Sequence, residues 1–102
     1  MKDYKLRFLP LFEEDLNAIV DYISLQLENP QAAYSLVDEV RAAIQKRLPF
    51  AESYEPFPSR VERSHVYYRI YVNHYIIFYV VDGDIMEVRR ILYGKRDWEK
   101  CL

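Results

Sequence analysis

Residues 67–93 read YYRIYVNHYIIFYVVDGDIMEVRRILY, and this stretch decides the fold. Tyr67 to Val72 and Tyr75 to Val81 are rich in Tyr, Ile and Val, residues that pack well on a pleated, half-buried surface. Asn73-His74 reads as a two-residue turn between them. Asp82-Gly83, between Val81 and Asp84, is the stronger hairpin signal, because a type I′ turn needs positive φ at both central positions. Ile85 to Tyr93 then makes the final strand. Alternation places Met86, Val88, Arg90 and Leu92 on one face of it, and Ile85, Glu87, Arg89, Ile91 and Tyr93 on the other.

Upstream, Tyr4, Leu6 and Phe8 alternate with Lys5 and Arg7, the pattern of a half-buried strand that Pro10 stops. Phe12, Leu16, Ile19, Val20, Ile23 and Leu27 fall at helical spacing. The acidic triplet Glu13-Glu14-Asp15 lies near the amino end, where it complements the helix dipole. Asn29-Pro30 supplies an N-cap and a first-turn proline for a second helix on Ala33, Leu36, Val37, Val40, Ile44 and Leu48, closed by Pro49. Two helices separated by so short a break form an antiparallel hairpin whose apolar stripes need the sheet as cover. Residues 50–64 connect, with Pro56 and Pro58 and no clean period. The order β-α-α-β-β-β predicts a single α+β domain over residues 1–102. In it a small, mostly antiparallel sheet is packed on one face by an antiparallel helical hairpin.

Composition narrows the function classes. A chain of 102 residues with 51% hydrophobic and 29% charged residues is an ordinary globular domain, wrong for disorder. The net charge of −2 argues against general nucleic-acid affinity, which comes mostly from neutralising phosphates. The charge is uneven: six basic and ten acidic residues up to Ser59, eight basic and six acidic from Arg60 onward. The first part is thus near −4 and the second near +2. Cys101 is the one cysteine, which excludes an internal disulfide and a Cys-rich metal site. Metal-ligand spacings and phosphate-cradling glycine loops are absent, so neither metal nor cofactor is expected. With no signal peptide and no apolar run long enough to span a membrane, the expected setting is cytoplasmic.

Several side chains offer chemistry. Arg90 breaks an apolar stripe, and burial demands either a structural carboxylate partner or an anion or partner contact at the edge of the covered zone. Arg69 shares a strand face with Tyr67 and Tyr71, which suits either base stacking with phosphate contact or simple Tyr–Arg packing. Lys95 and Arg96 follow Gly94 at a strand end, where loops on rigid scaffolds carry function; the alternative is pairing with Asp97 or Glu99, with Trp98 folded over the core. His65 and His74 are the only side chains that ordinarily titrate near neutrality, yet no second base is placed to complete a triad.

The ending Val88-Arg89-Arg90-Ile91-Leu92-Tyr93-Gly94-Lys95-Arg96-Asp97-Trp98 resembles the RelE/ParE superfamily of toxin–antitoxin toxins. So do residues 15–23, the Asn29-Pro30-Gln31-Ala32-Ala33 break, and Tyr75-Ile76-Ile77-Phe78-Tyr79-Val80-Val81. The likeness covers nearly the whole chain and rests on the ordered combination of motifs. It implies a cytoplasmic toxin, linked with plasmid stabilisation and neutralised by a cognate antitoxin, as a homodimer or a toxin–antitoxin hetero-oligomer. RelE-like members cleave messenger RNA on the ribosome, whereas ParE-like members inhibit DNA gyrase without that catalytic set.

The residues favour the ParE-like branch. Ile76 stands where RelE-like nucleases carry a catalytic Arg after the aromatic, and Ile cannot stabilise a phosphorane. The sequence also ends at Leu102, before the tail in which RelE supplies a catalytic Tyr. Tyr93 replaces the His common before this glycine in ParE-like members, which leaves room for a Tyr acid/base. The resemblance therefore implies Arg90, Lys95, Arg96 and Trp98 as target contacts, with Arg69 and the sheet face toward the antitoxin. A nuclease would instead use Arg69, Arg90 and Arg96 on phosphate and Tyr93 or His65 for the proton.

Overall fold

A computed structural model of the chain describes residues 3–56, 65–95 and 101–102. Helix α1 (Pro10–Asp21) starts with proline at N1, where the missing N–H has no intrahelical partner to lose. It runs into a wide π-turn, Tyr22–Gln26, with Leu27 N donating to Tyr22 O at 3.1 Å and Asn29 N to Ile23 O at 3.1 Å. The extra residue rotates the chain out of α register. Ile23 stays against the core, but Leu27, expected on the buried stripe, is exposed.

Glu28 then adopts φ 50° as the chain reverses, and the Asn29 side chain accepts from Ala32 N at 3.1 Å to cap α2 (Pro30–Arg47). Ala33, Leu36, Val40 and Ile44 are its buried face, as the spacing predicts. Asn29→Ala removes the acceptor for that helix N–H and is expected to cost about 1 kcal/mol in urea denaturation.

Four strands form one sheet: β1 (Lys5–Phe8), β2 (Tyr68–Val72), β3 (Tyr75–Asp82) and β4 (Ile85–Tyr93), in the order β1-β4-β3-β2. The last three make the antiparallel meander read from the sequence. β1 adds to it in parallel, Lys5 opposite Ile85 and Phe8 opposite Val88, with the helical hairpin inside the connection from β1 to the meander.

Two local expectations fail. Asp82 pairs with Ile85, so the turn residues are Gly83 and Asp84, one position later than Asp82-Gly83. Only Gly83, at φ 63°, is left-handed, which rules out type I′; Asn73, at φ 57°, plays the same part in the other turn. The alternation along β4 also breaks. Phe78 faces Arg90 while Tyr79 faces Val88, so Arg89 is an unpaired bulge residue. A bulge shifts the two-residue period by one. Met86 and Val88 therefore share the helix-side core with Ile91, whereas Leu92 joins a cluster on the opposite face.

On the helix side, Tyr79 is completely buried, its hydroxyl donating to Ala51 O at 2.7 Å and accepting from Arg47 Nη1 at 3.0 Å. The far side is also apolar: Tyr67, Ile76, Phe78, Val80 and Leu92 are buried, with Cys101 and Leu102 packed against them. Among the described residues no helix is long and apolar enough to cross a membrane.

Candidate functional site

β1 ends where Leu9 N donates to Val88 O at 3.0 Å, and Pro10 then turns the chain into α1. Beyond Val88, the β1-side edge of β4 is taken over by a side chain. Asp15 of α1 accepts from Ile91 N at 3.2 Å, from Arg90 Nε at 2.7 Å and from Arg90 Nη2 at 2.9 Å. The remaining guanidinium nitrogen, Nη1, donates to Cys101 O at 2.8 Å. Both partners are largely buried, with side chains 18% and 13% exposed. The hydrogen bonds to Asp15 raise the Arg90 pKa above its ordinary value against the opposing effect of burial. Of the two roles open to Arg90 from sequence, the geometry places it in the internal ion pair. Each of its three guanidinium nitrogens thus has one internal partner, in α1 or at Cys101.

Past Arg90, β4 leads to an aromatic cleft of about 420 Å³ whose lining includes Ala18, Ile19, Tyr22, His74, Tyr75 and Tyr93. The Tyr75 and Tyr93 rings lie 5.9 Å apart, tilted by 45°. Burial raises the Tyr75 pKa, and neighbouring Tyr22 and Tyr93 add to the shift, so its phenol stays neutral at physiological pH. Gly94 closes the strand by donating its N–H to His74 O at 2.9 Å. A Cβ there would stand 3.3 Å from that same oxygen, so glycine permits the approach. Lys95 follows immediately and is exposed. Arg96 and Trp98 lie outside the described residues.

The far face carries a second charged network. Glu87, with only 7% of its side chain exposed, accepts from Arg7 Nε and Arg89 Nε, each at 2.7 Å. Arg89 Nη1 also donates to Tyr67 OH at 3.2 Å. Burial pushes the Glu87 pKa up, but the two guanidiniums outweigh it and hold the carboxyl below its ordinary range. Arg69, opposite Phe78 on the adjoining strand, places its guanidinium 5.8 Å from the Tyr71 ring, the Tyr–Arg pairing read from alternation.

Among the described residues named for a nuclease, Arg69 and Arg90 flank Phe78 from the two neighbouring strands, and Tyr93 does not join them. Arg69 sits across from Phe78 on the far face, while Tyr93 pairs with Tyr75 on the helix side. Arg90 is held by Asp15, and Ile76 is buried in the far-face cluster. His65 is half-buried before β2, and His74 is exposed in the β2–β3 turn. No group of His, Cys, Asp and Glu among the described residues could hold a metal ion.

Asp15 and Glu87 are the organising residues that sequence reasoning missed. Asp15 did carry a signal. At positions 12, 15, 19 and 22, one helix face reads Phe, Asp, Ile, Tyr, so a carboxylate interrupts the apolar stripe just as Arg90 interrupts its own. The Arg7–Glu87 pairing needed the parallel register of β1, which local pattern does not encode.

Comparison with known proteins gives one family. The model of the ParE toxin of the type II toxin–antitoxin system parDE matches residues 6–98. Among solved structures, the chromosomal ParDE toxin–antitoxin system from P. aeruginosa aligns with a TM-score of 0.72 at 20% identity, covering 91% of this chain and 98% of that one. The RelB–RelE antitoxin–toxin complex from Methanococcus jannaschii aligns with a TM-score of 0.49 at 22% identity, over 91% and 95% of the two chains. At 20% identity the likeness to the P. aeruginosa system is one of fold. No curated protein gives a match.

Proposed function

Because this chain belongs to the ParE toxin family of type II toxin–antitoxin systems, we propose that it arrests growth by binding DNA gyrase and is neutralised by a cognate antitoxin. In this reading Lys95, Arg96 and Trp98 make the target contact, and Arg90 supports them from inside. The observation that carries it is the combination at the end of β4. A rigid strand closes on the Gly94–His74 hydrogen bond and delivers exposed Lys95 directly beyond it. Meanwhile, among the described residues a ribosome-bound nuclease would need, Tyr93 lies on the other sheet face from Arg69, and Arg90 is paired with Asp15. That arrangement suits binding better than phosphoryl transfer.

An antitoxin has a natural landing place. Phe8, Phe12, Leu16, Val37, Val40 and Ile44 line an apolar groove of about 240 Å³ beside the two helices, and Phe8 and Leu11 are exposed. The apolar face of an amphipathic helix would fill such a groove. Arg69 and Tyr71 on the β2 edge would add a polar contact for an acidic segment.

Purified protein mixed with gyrase and plasmid separates the targets. Accumulated cleaved DNA supports the gyrase reading, and messages cut at defined sites on translating ribosomes would replace it. Arg96→Ala is expected to relieve growth arrest on induced expression, with target binding weakened about 30-fold, the ~2 kcal/mol of an interface hot spot. Its melting temperature should match that of the parent; persistent arrest would remove Arg96 from the contact.

A further inference from the structure

We propose that the aromatic cleft between α1 and the Tyr75–Tyr93 pair is a docking pocket for an arginine side chain presented by a partner protein. Asp15, Ala18, Ile19 and Tyr22 fall on one helical face and form one side of it. Tyr75 and Tyr93, opposed across β3 and β4, form the other, with His74 from the adjoining turn. Tyr22 opens the π-turn, its carbonyl accepting from Leu27 N at 3.1 Å, and such widened turns recur at functional sites. The volume of about 420 Å³ is that of a small-ligand site. Tyr22 and Tyr93 are 53% and 45% exposed, so their rings are not spent on the core.

Charge complementarity selects the occupant. The described lining residues bring three phenol rings and a carboxylate, and no lysine or arginine. An anion would find no counter-charge in the lining, whereas a cation meets electron-rich rings. Asp15 retains capacity despite its internal pair. Its Oδ2 accepts from Arg90 Nε and Ile91 N, but Oδ1 accepts from Arg90 Nη2 alone. A carboxylate has about four acceptor positions, so one stays open beside Oδ1. A guanidinium uses both features at once, stacking on a ring while donating in its own plane; an ammonium, compact and strongly hydrated, does neither as well. The apolar stem of the arginine would lie along Ala18, Ile19 and Ile91.

The test is an NMR titration of the purified full chain with Nα-acetyl-arginine amide. Saturable shifts are expected at Ile91 N–H and at the ring protons of Tyr22, Tyr75 and Tyr93, with a Kd of about 1 mM, the reach of a ligand this small. Nα-acetyl-citrulline amide, of the same shape without the charge, should bind at least about tenfold more weakly, as the loss of a charge-assisted hydrogen bond dictates. Tyr22→Leu and Tyr93→Leu each remove a ring at a half-exposed position where folding is retained. Each should weaken the arginine probe about threefold to fivefold, the worth of one cation–π contact. Absence of saturable shifts, or equal binding of the citrulline probe, would overturn the proposal. So would unchanged affinity in both leucine variants, which would take the rings out of the contact. Tighter binding of Nα-acetyl-tryptophan amide would replace the cation with an aromatic occupant, and equal binding of methylguanidine would replace the side chain with a free small cation. None of these readouts depends on gyrase, so the target assignment stands or falls separately.

Discussion

Asp15→Ala is expected to destabilise the protein by about 3 kcal/mol, because removing one partner of a largely buried ion pair strands the other. The alanine would leave Arg90 with Cys101 O as its remaining partner and would deprive Ile91 N of its acceptor. Both losses fall where β1 has already turned away, so no neighbouring strand can move in to compensate. The value sits at the low end of the range for buried pairs because 18% of the Arg90 side chain and 13% of Asp15 remain exposed. Chemical denaturation of the purified protein measures it. A change below about 1 kcal/mol would mean that water replaces the carboxylate at the β4 edge, as it does for exposed pairs.

Glu87→Gln is expected to cost about 2 kcal/mol at neutral pH, with a pH dependence that identifies the cause. The carboxylate is enclosed between Arg7 and Arg89, and its pKa in the folded protein lies below the ordinary value of 4.5. Its contribution is therefore complete above that ordinary value and is lost as pH falls through the depressed folded value. Stability curves of parent and variant should be separated at pH 7 and should converge as the solution is acidified below pH 4.5. A constant gap throughout the acid range would show that the cost is one of packing and not of charge.

These two carboxylates also mark the boundary of what the sequence discloses. Element order was legible because Pro10, Asn29-Pro30, Pro49 and the turn residues punctuate runs of clear helical or strand period. The helical hairpin under the meander followed from stripes that needed covering. What failed was register. Nothing in Val88-Arg89-Arg90-Ile91 announces that Arg89 will be the extra residue; the mismatch appears only when β3 is aligned against the strand. The π-turn was likewise hidden, and a regular 3.6-residue period carried Leu27 to the wrong side. For the site, Lys95 was legible as a cation on a strand end, whereas the choice between contact and ion pair at Arg90 depended on a carboxylate 75 residues away.

The parallel pairing of β1 with β4 has a bearing on how such a molecule comes into being. Lys5 to Phe8 are made well before their hydrogen-bonding neighbours, Ile85 to Val88. The same delay holds for Asp15, whose guanidinium arrives at position 90. Closure of this sheet is thus a long-range event that local helix formation cannot hasten. A chain interrupted before Ile85 would lack the final strand and would leave β1 without its hydrogen-bonding neighbour.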